Sequence, residues 1–83
     1  MSYLIAVFRA RSITLKAYNV LQAKGVVCSL VSTPQGAEVG CGLSIKFEQR
    51  DFDVVRQVCS TNTFVGFFRV TIINRKTVVT RII

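Results

Sequence analysis

From Tyr3 to Phe8 the chain reads YLIAVF, apolar at its odd and even positions alike. Successive side chains of a strand point to opposite faces, so this strand has no face to offer to water and must be covered on both. That run demands a layered domain with this strand at its centre. The 83 residues read as one domain, 1–83, near the lower size limit at which a single core holds without staples or partners. Hydrophobic residues make up 51% of the chain and charged ones only 18%, which excludes the disordered class and hints at a surface that self-associates.

The remaining segments supply the cover. Ser12 is expected to cap a helix that ends before Gly25, a natural C′ residue. Ile13, Ala17, Val20, Leu21 and Lys24 fall on its inner face, with the Lys24 stem over the rim. Residues 26–31 read as a strand, ended by Thr33-Pro34-Gln35-Gly36. A loop runs from there to Gly42. Residues 43–48 alternate, with Leu43, Ile45 and Phe47 inward and Ser44, Lys46 and Glu48 outward. Asp51 is expected to cap a second helix over residues 52–60 that buries Phe52, Val55, Val58 and Cys59, and Thr61-Asn62-Thr63 breaks it. Two strands, 64–73 and 77–83, flank a hairpin turn at Asn74-Arg75-Lys76.

The order β-α-β-β-α-β-β predicts an α+β fold. It is that of a ferredoxin-like β-α-β-β-α-β sandwich, one antiparallel sheet with two helices on one face, extended by a C-terminal strand. Helices on one face leave the other open, yet the first strand is apolar there too. A homodimer that hides the open face or an edge is therefore expected.

The chemistry available is narrow. The chain has no histidine, which removes a Cys-His pair and mixed Cys/His metal sites, and the spacing of Cys28, Cys41 and Cys59 fits no metal pattern. No metal or other cofactor is expected. Glu48, Asp51 and Asp53 suit capping and solvation better than paired acid–base work, so the chain reads as a non-enzyme. The glycines at 36, 40 and 42 lead into a strand with no following lysine, which does not make a phosphate loop. A looser nest of backbone amides stays open. The net charge of +7 is spread along the chain, a solubilising surface in the first instance. Gly66-Phe67-Phe68-Arg69-Val70 has the wrong place in the order for an RNA-recognition strand, and Phe67 and Phe68 point to opposite faces. Nucleic acid is the weakest of the partner readings. No signal or membrane-spanning segment is evident, and three unpaired thiols suit the cytoplasm.

The thiols are what remains. Cys28 within a strand and Cys59 on the inner face of a helix read as small buried hydrophobes. Cys41 stands apart, in the loop or at the first residue of a strand. Gly40 and Gly42 remove side chains that would shield its sulfur and free nearby amides, which favours an accessible thiolate. Lys46, Arg50 or the loop amides would supply the positive field. The same glycines equally describe a tight turn that tolerates a cysteine.

The helix SITLKAYNVLQAKG, then VVCSLVSTP, a short gap and CGLSIKFEQRD, resembles the small bacterial selenium/sulfur carrier-like proteins. Their pattern is a helix ending in Leu-x-x-x-Gly, a strand ending in proline, and Cys-Gly followed by an alternating strand. The resemblance covers roughly residues 3–58, most specifically Thr33-Pro34 and Cys41-Gly42-Leu43. It implies that Cys41 carries sulfur or selenium as a persulfide or selenosulfide, that Pro34 and Gly42 shape its loop, and that donor and acceptor proteins load and unload it. The chain departs from the family in having Gln35 where a basic residue usually follows the proline, and in a longer C-terminal hairpin. The alternative to a carrier is a structural or interaction module that dimerises through its sheet and has no thiol chemistry.

Overall fold

The computed structural model describes residues 1–37, 40–60 and 63–83. Its elements are β1 (Ser2–Phe8), α1 (Arg11–Ala23), β2 (Cys28–Ser32), β3 (Leu43–Phe47), a 3₁₀ turn (Gln49–Asp51), α2 (Phe52–Val58), β4 (Phe64–Ile73) and β5 (Lys76–Arg81). The strands form one antiparallel sheet in the order β2-β3-β1-β4-β5. This is an α+β architecture with five strands and two helices. The two-faced apolar run is the central strand, and Leu4 to Phe8 are all buried.

The alternation along β1 divides the core. Leu4, Ala6 and Phe8 join Ala17 and Leu21 of α1, Val55 and Cys59 from the α2 segment, and Ile45, Phe47 and Phe67 in one cluster. Ile5 and Val7 join Phe68 and Val70 in a second cluster on the opposite face. Both helices therefore cover one face. Between Val7 and Phe8 the register with β4 shifts: Val7 pairs with Gly66 but Phe8 with Phe64. The extra residue, Val65, is a bulge that lets Phe64 share the helix face with Phe67. Five of the six phenylalanines then make a continuous stack of ring contacts there, with centroids 4.7–6.5 Å apart.

The helix termini differ from expectation at one end and agree at the other. Ser12 does not cap α1. The N-cap is Ala10, extended and with no side-chain cap bond, so Ser12 lies inside the first turn. At the other end Gly25 has φ +80°, its N–H donates to the Gln22 carbonyl and that of Val26 to the Leu21 carbonyl, the paired bonds of a Schellman ending. The buried stripe of α1 is Thr14, Ala17 and Leu21, while Val20 is exposed. Asp51 holds the N-cap position of α2 but makes no capping hydrogen bond. The expected break at Thr61 and Asn62 lies outside the described residues. At the hairpin, Asn74 and Arg75 both have positive φ, +49° and +67°, the two-residue turn whose twist matches paired strands.

The second sheet face is not open. The segment after β2 crosses it. Thr33 N–H donates to the Gly42 carbonyl at 3.0 Å, and the Thr33 and Ser44 hydroxyls bond each other, so Ser44 is buried rather than outward. Pro34 accepts from Ala37 N–H, turning the chain through Gly36 at φ +99°. Ala37 packs against the second cluster, and a Cβ built on Gly36 would stand 3.4 Å from that of Val79 on β5. The loop thus reaches from one edge strand to the other. The Arg81 guanidinium lies over the Phe68 ring at 5.5 Å and closes the far corner. Phe67 and Phe68 are both buried, so neither can stack on a base. The apolar face that motivated a dimer is covered by the chain's own loop.

Candidate functional site

Cys41 sits where four pieces of chain meet: the end of β1, the first turn of α1, the end of the crossing loop and the start of β3. Its N–H donates to the Phe8 carbonyl at 3.1 Å, which anchors the residue to the central strand. Its Sγ lies 3.5 Å from the Thr14 hydroxyl of α1 and 3.5 Å from the Leu43 carbonyl. The residue is half-buried.

The two glycines beside it serve different ends. A Cβ on Gly40 would stand 2.6 Å from the Phe8 carbonyl oxygen and 2.8 Å from Val7 Cγ1. Only a residue without a side chain can lie this close to β1. Gly42 has φ +85°, a region costly to residues with a Cβ, but faces open space. Close approach to β1 thus accounts for Gly40 and turn geometry for Gly42. Pro34 stands at the loop neck, next to the Thr33–Gly42 bond. The structure brings Pro34, Gly40, Cys41 and Gly42 into one loop closed against the sheet.

Thr14 is the site residue that the sequence reading passed over. It is fully buried, and its hydroxyl also bonds the Ala10 carbonyl at 3.1 Å. Its signal is in the chain: positions 14, 17 and 21 are one helical stripe, and a threonine there is a hydroxyl aimed inward.

A family described as "Putative Se/S carrier protein-like" matches residues 3–66. The chain belongs to that family. Comparison with curated proteins and with solved structures gave no match. In this Se/S carrier-like protein the matched segment contains the whole Cys41 loop and its anchors on β1 and α1. It stops at Gly66, just past the Val65 bulge, so most of the β4–β5 hairpin lies beyond it.

The other two thiols are placed differently. Burial pushes the Cys59 thiol up to about 12, with the neighbouring Cys28 adding to the effect. Burial, and secondarily the Asp51 carboxylate, also raises Cys28. Both stay protonated at neutral pH and are poor nucleophiles. Lys46 and Arg50 do not reach Cys41. Lys46 Nζ lies 4.5 Å above the Tyr3 ring centroid, and Arg50 faces Glu48 at 3.3 Å and Asp51 at 3.7 Å. Both line a groove of about 560 Å3 at the other end of β3, together with Tyr3, Cys28 and Arg69. A strand rises about 3.3 Å per residue, so along β3 Lys46 lies roughly 10 Å beyond Leu43, the residue at the Cys41 end. No helix among the described residues is long and apolar enough to cross a membrane.

Proposed function

We propose that this family member carries a sulfur atom, or selenium in the same oxidation state, on Cys41. The observation that supports it best is the contrast among the thiols. The thiols of buried Cys59 and half-buried Cys28 are both raised, while Cys41 is held at a loop neck with a side-chain-free neighbour on open space. In the loading step the Cys41 thiolate attacks the outer sulfur of a persulfide on a donor protein. A new S–S bond forms at Cys41, the donor's S–S bond breaks, and the donor cysteine leaves as a thiolate. Unloading is the same exchange with an acceptor thiolate. Neither direction needs an external oxidant or reductant. Among the described residues no base stands beside the sulfur, and in this reading the chain acts as a cargo protein whose partners drive the transfer.

The test is to incubate the protein with a sulfurtransferase in its persulfide form and weigh the intact chain and its peptides. One added sulfur on the Cys41 peptide is expected, absent from Cys41→Ala and present in Cys28→Ala. Equal loading of Cys41→Ala would refute the proposal.

The strand order β2-β3-β1-β4, with one helix after β1 and one after β3, supports reading the first four strands as a ferredoxin-like sandwich to which β5 is added. Three unpaired cysteines suit a reducing, cytoplasmic setting. A homodimer would now use the hairpin rather than the covered sheet face. Ile73, Val78 and Ile83 are about half exposed there, on the outer strand of the sheet and its turn. This is also what favours the second reading, an interaction module. Light scattering that finds a monomer at high micromolar concentration removes the dimer from both.

A further inference from the structure

The oxygen atoms around Cys41 Sγ present a proton-counting problem. Two lie 3.5 Å away, Thr14 Oγ1 and the Leu43 carbonyl. A carbonyl only accepts, and a hydroxyl has one proton to give. In the arrangement observed, the Thr14 proton goes to the Ala10 carbonyl at 3.1 Å. Among the described residues the sulfur is then faced by acceptors alone, which suits a neutral S–H donating to either of them. A thiolate in the same place would meet lone pairs.

The remedy is built into the first turn of α1. The Ala10 carbonyl accepts twice, from the Thr14 hydroxyl and from the Thr14 backbone N–H, the latter also at 3.1 Å. If the hydroxyl turns away, the carbonyl keeps its helical partner and no buried acceptor is orphaned. Rotation about one side-chain bond therefore changes the surroundings of Sγ from acceptor to donor without breaking the helix. Thr14 is fully buried, so water does not compete for that proton.

We propose that Thr14 is a two-position hydrogen-bond donor for Cys41: its hydroxyl rests on the Ala10 carbonyl while the sulfur is a thiol and turns to Sγ when the thiol loses its proton to solvent. The inference rests on the carrier reading in taking the Cys41 thiolate as the attacking species. Thr14 then stabilises and aims the form of the sulfur that makes the new S–S bond. A hydrogen bond to a charged group is the strong kind, and removing it shifts the thiol–thiolate balance by about tenfold.

The experiment follows alkylation of Cys41 by iodoacetamide as a function of pH, read peptide by peptide, in the wild type, Thr14→Val and Thr14→Ser. Thr14→Val keeps the shape and removes the donor, and Thr14→Ser keeps the donor. Circular dichroism checks that each is folded, with Thr14→Ala in reserve should valine misfold. The expected result is a midpoint about one pH unit higher in Thr14→Val, an unchanged rate at the alkaline plateau, and a wild-type midpoint in Thr14→Ser. A wild-type midpoint in folded Thr14→Val or Thr14→Ala overturns the proposal, as does a Thr14→Ser midpoint that stays with valine. Persulfide loading of the wild type is scored separately, so a failed carrier reading and an idle Thr14 give different results.

Discussion

Gly40 lies so close to the end of β1 that a Cβ on it would stand 2.6 Å from the Phe8 carbonyl oxygen, the same oxygen that accepts from Cys41 N–H. One atom thus sets both the nearness of the loop and the place of the cysteine. Gly40→Ala must push the loop off β1 and loosen the Cys41 anchor. An overpacked site of this kind costs about 1–3 kcal/mol. Gly42→Ala meets no neighbour and bears only the left-handed backbone penalty, about 1 kcal/mol. Urea unfolding is expected to rank Gly40→Ala as the more damaging, and sulfur loading to survive Gly42→Ala. Equal destabilisation by the two would mean that the close approach to Phe8 is not what Gly40 is for.

The raised thiol of Cys59 predicts a loss of stability in alkali. Its folded value, about 12, lies above the ordinary 9.0, so between those values the folded chain holds a proton that the unfolded chain has released. Stability from this group is complete below about pH 9 and falls as pH rises through 12. Tyrosines and lysines titrate in the same window, so the measurement is a difference. The wild type is expected to lose more stability than Cys59→Ala between pH 8 and pH 11, by urea midpoint. Parallel curves would show that Cys59 is not held protonated by the fold.

Arg75 occupies the second central position of the β4–β5 turn at φ +67°. An arginine there bears a steric penalty that glycine does not. Arg75→Gly is expected to raise stability by up to about 1 kcal/mol, seen as a higher urea midpoint with unchanged slope. A fall in midpoint would show that the Arg75 side chain holds something that the turn needs.

Phe67 touches the rings of Phe47, Phe52 and Phe64 at 5.9, 5.0 and 4.7 Å and so joins β4 to β3 and α2. Phe67→Leu keeps most of the volume and loses the ring edges. It is expected to cost about 1–3 kcal/mol, more than Phe52→Leu, whose residue is only half-buried. Thermal unfolding of the two variants decides the ranking.

Where physics is local, the sequence was readable. The two-faced apolarity of Tyr3 to Phe8 announces a central strand, Gly25 ends α1 through its own backbone freedom, and Asn74 marks the hairpin. The candidate loop was legible as well, since Pro34, Gly40, Cys41 and Gly42 are breakers and a thiol in one short stretch. What surrounds the sulfur was not. Lys46 is five positions from Cys41, which looks near on paper, yet the run of β3 from Leu43 carries it to the far groove. Thr14 is distant in sequence and reaches Sγ only because α1 begins where β1 ends. The cover of the second sheet face was hidden for a related reason: loop residues have no periodicity from which their landing place can be read.

That cover has a consequence for the order in which the molecule is completed. Its outer turn, at Gly36, rests on Val79 of β5, a residue that a ribosome adds well after the loop itself. The matched family segment ends well before it, at residue 66. Closing so long a loop is entropically costly and comes late. While synthesis continues, the crossing segment has no β5 for its turn to settle on, although the anchors of Cys41 on β1 and α1 are already made. Chains truncated before β5 would be released with the outer turn of this segment unsupported and the second sheet face partly bare.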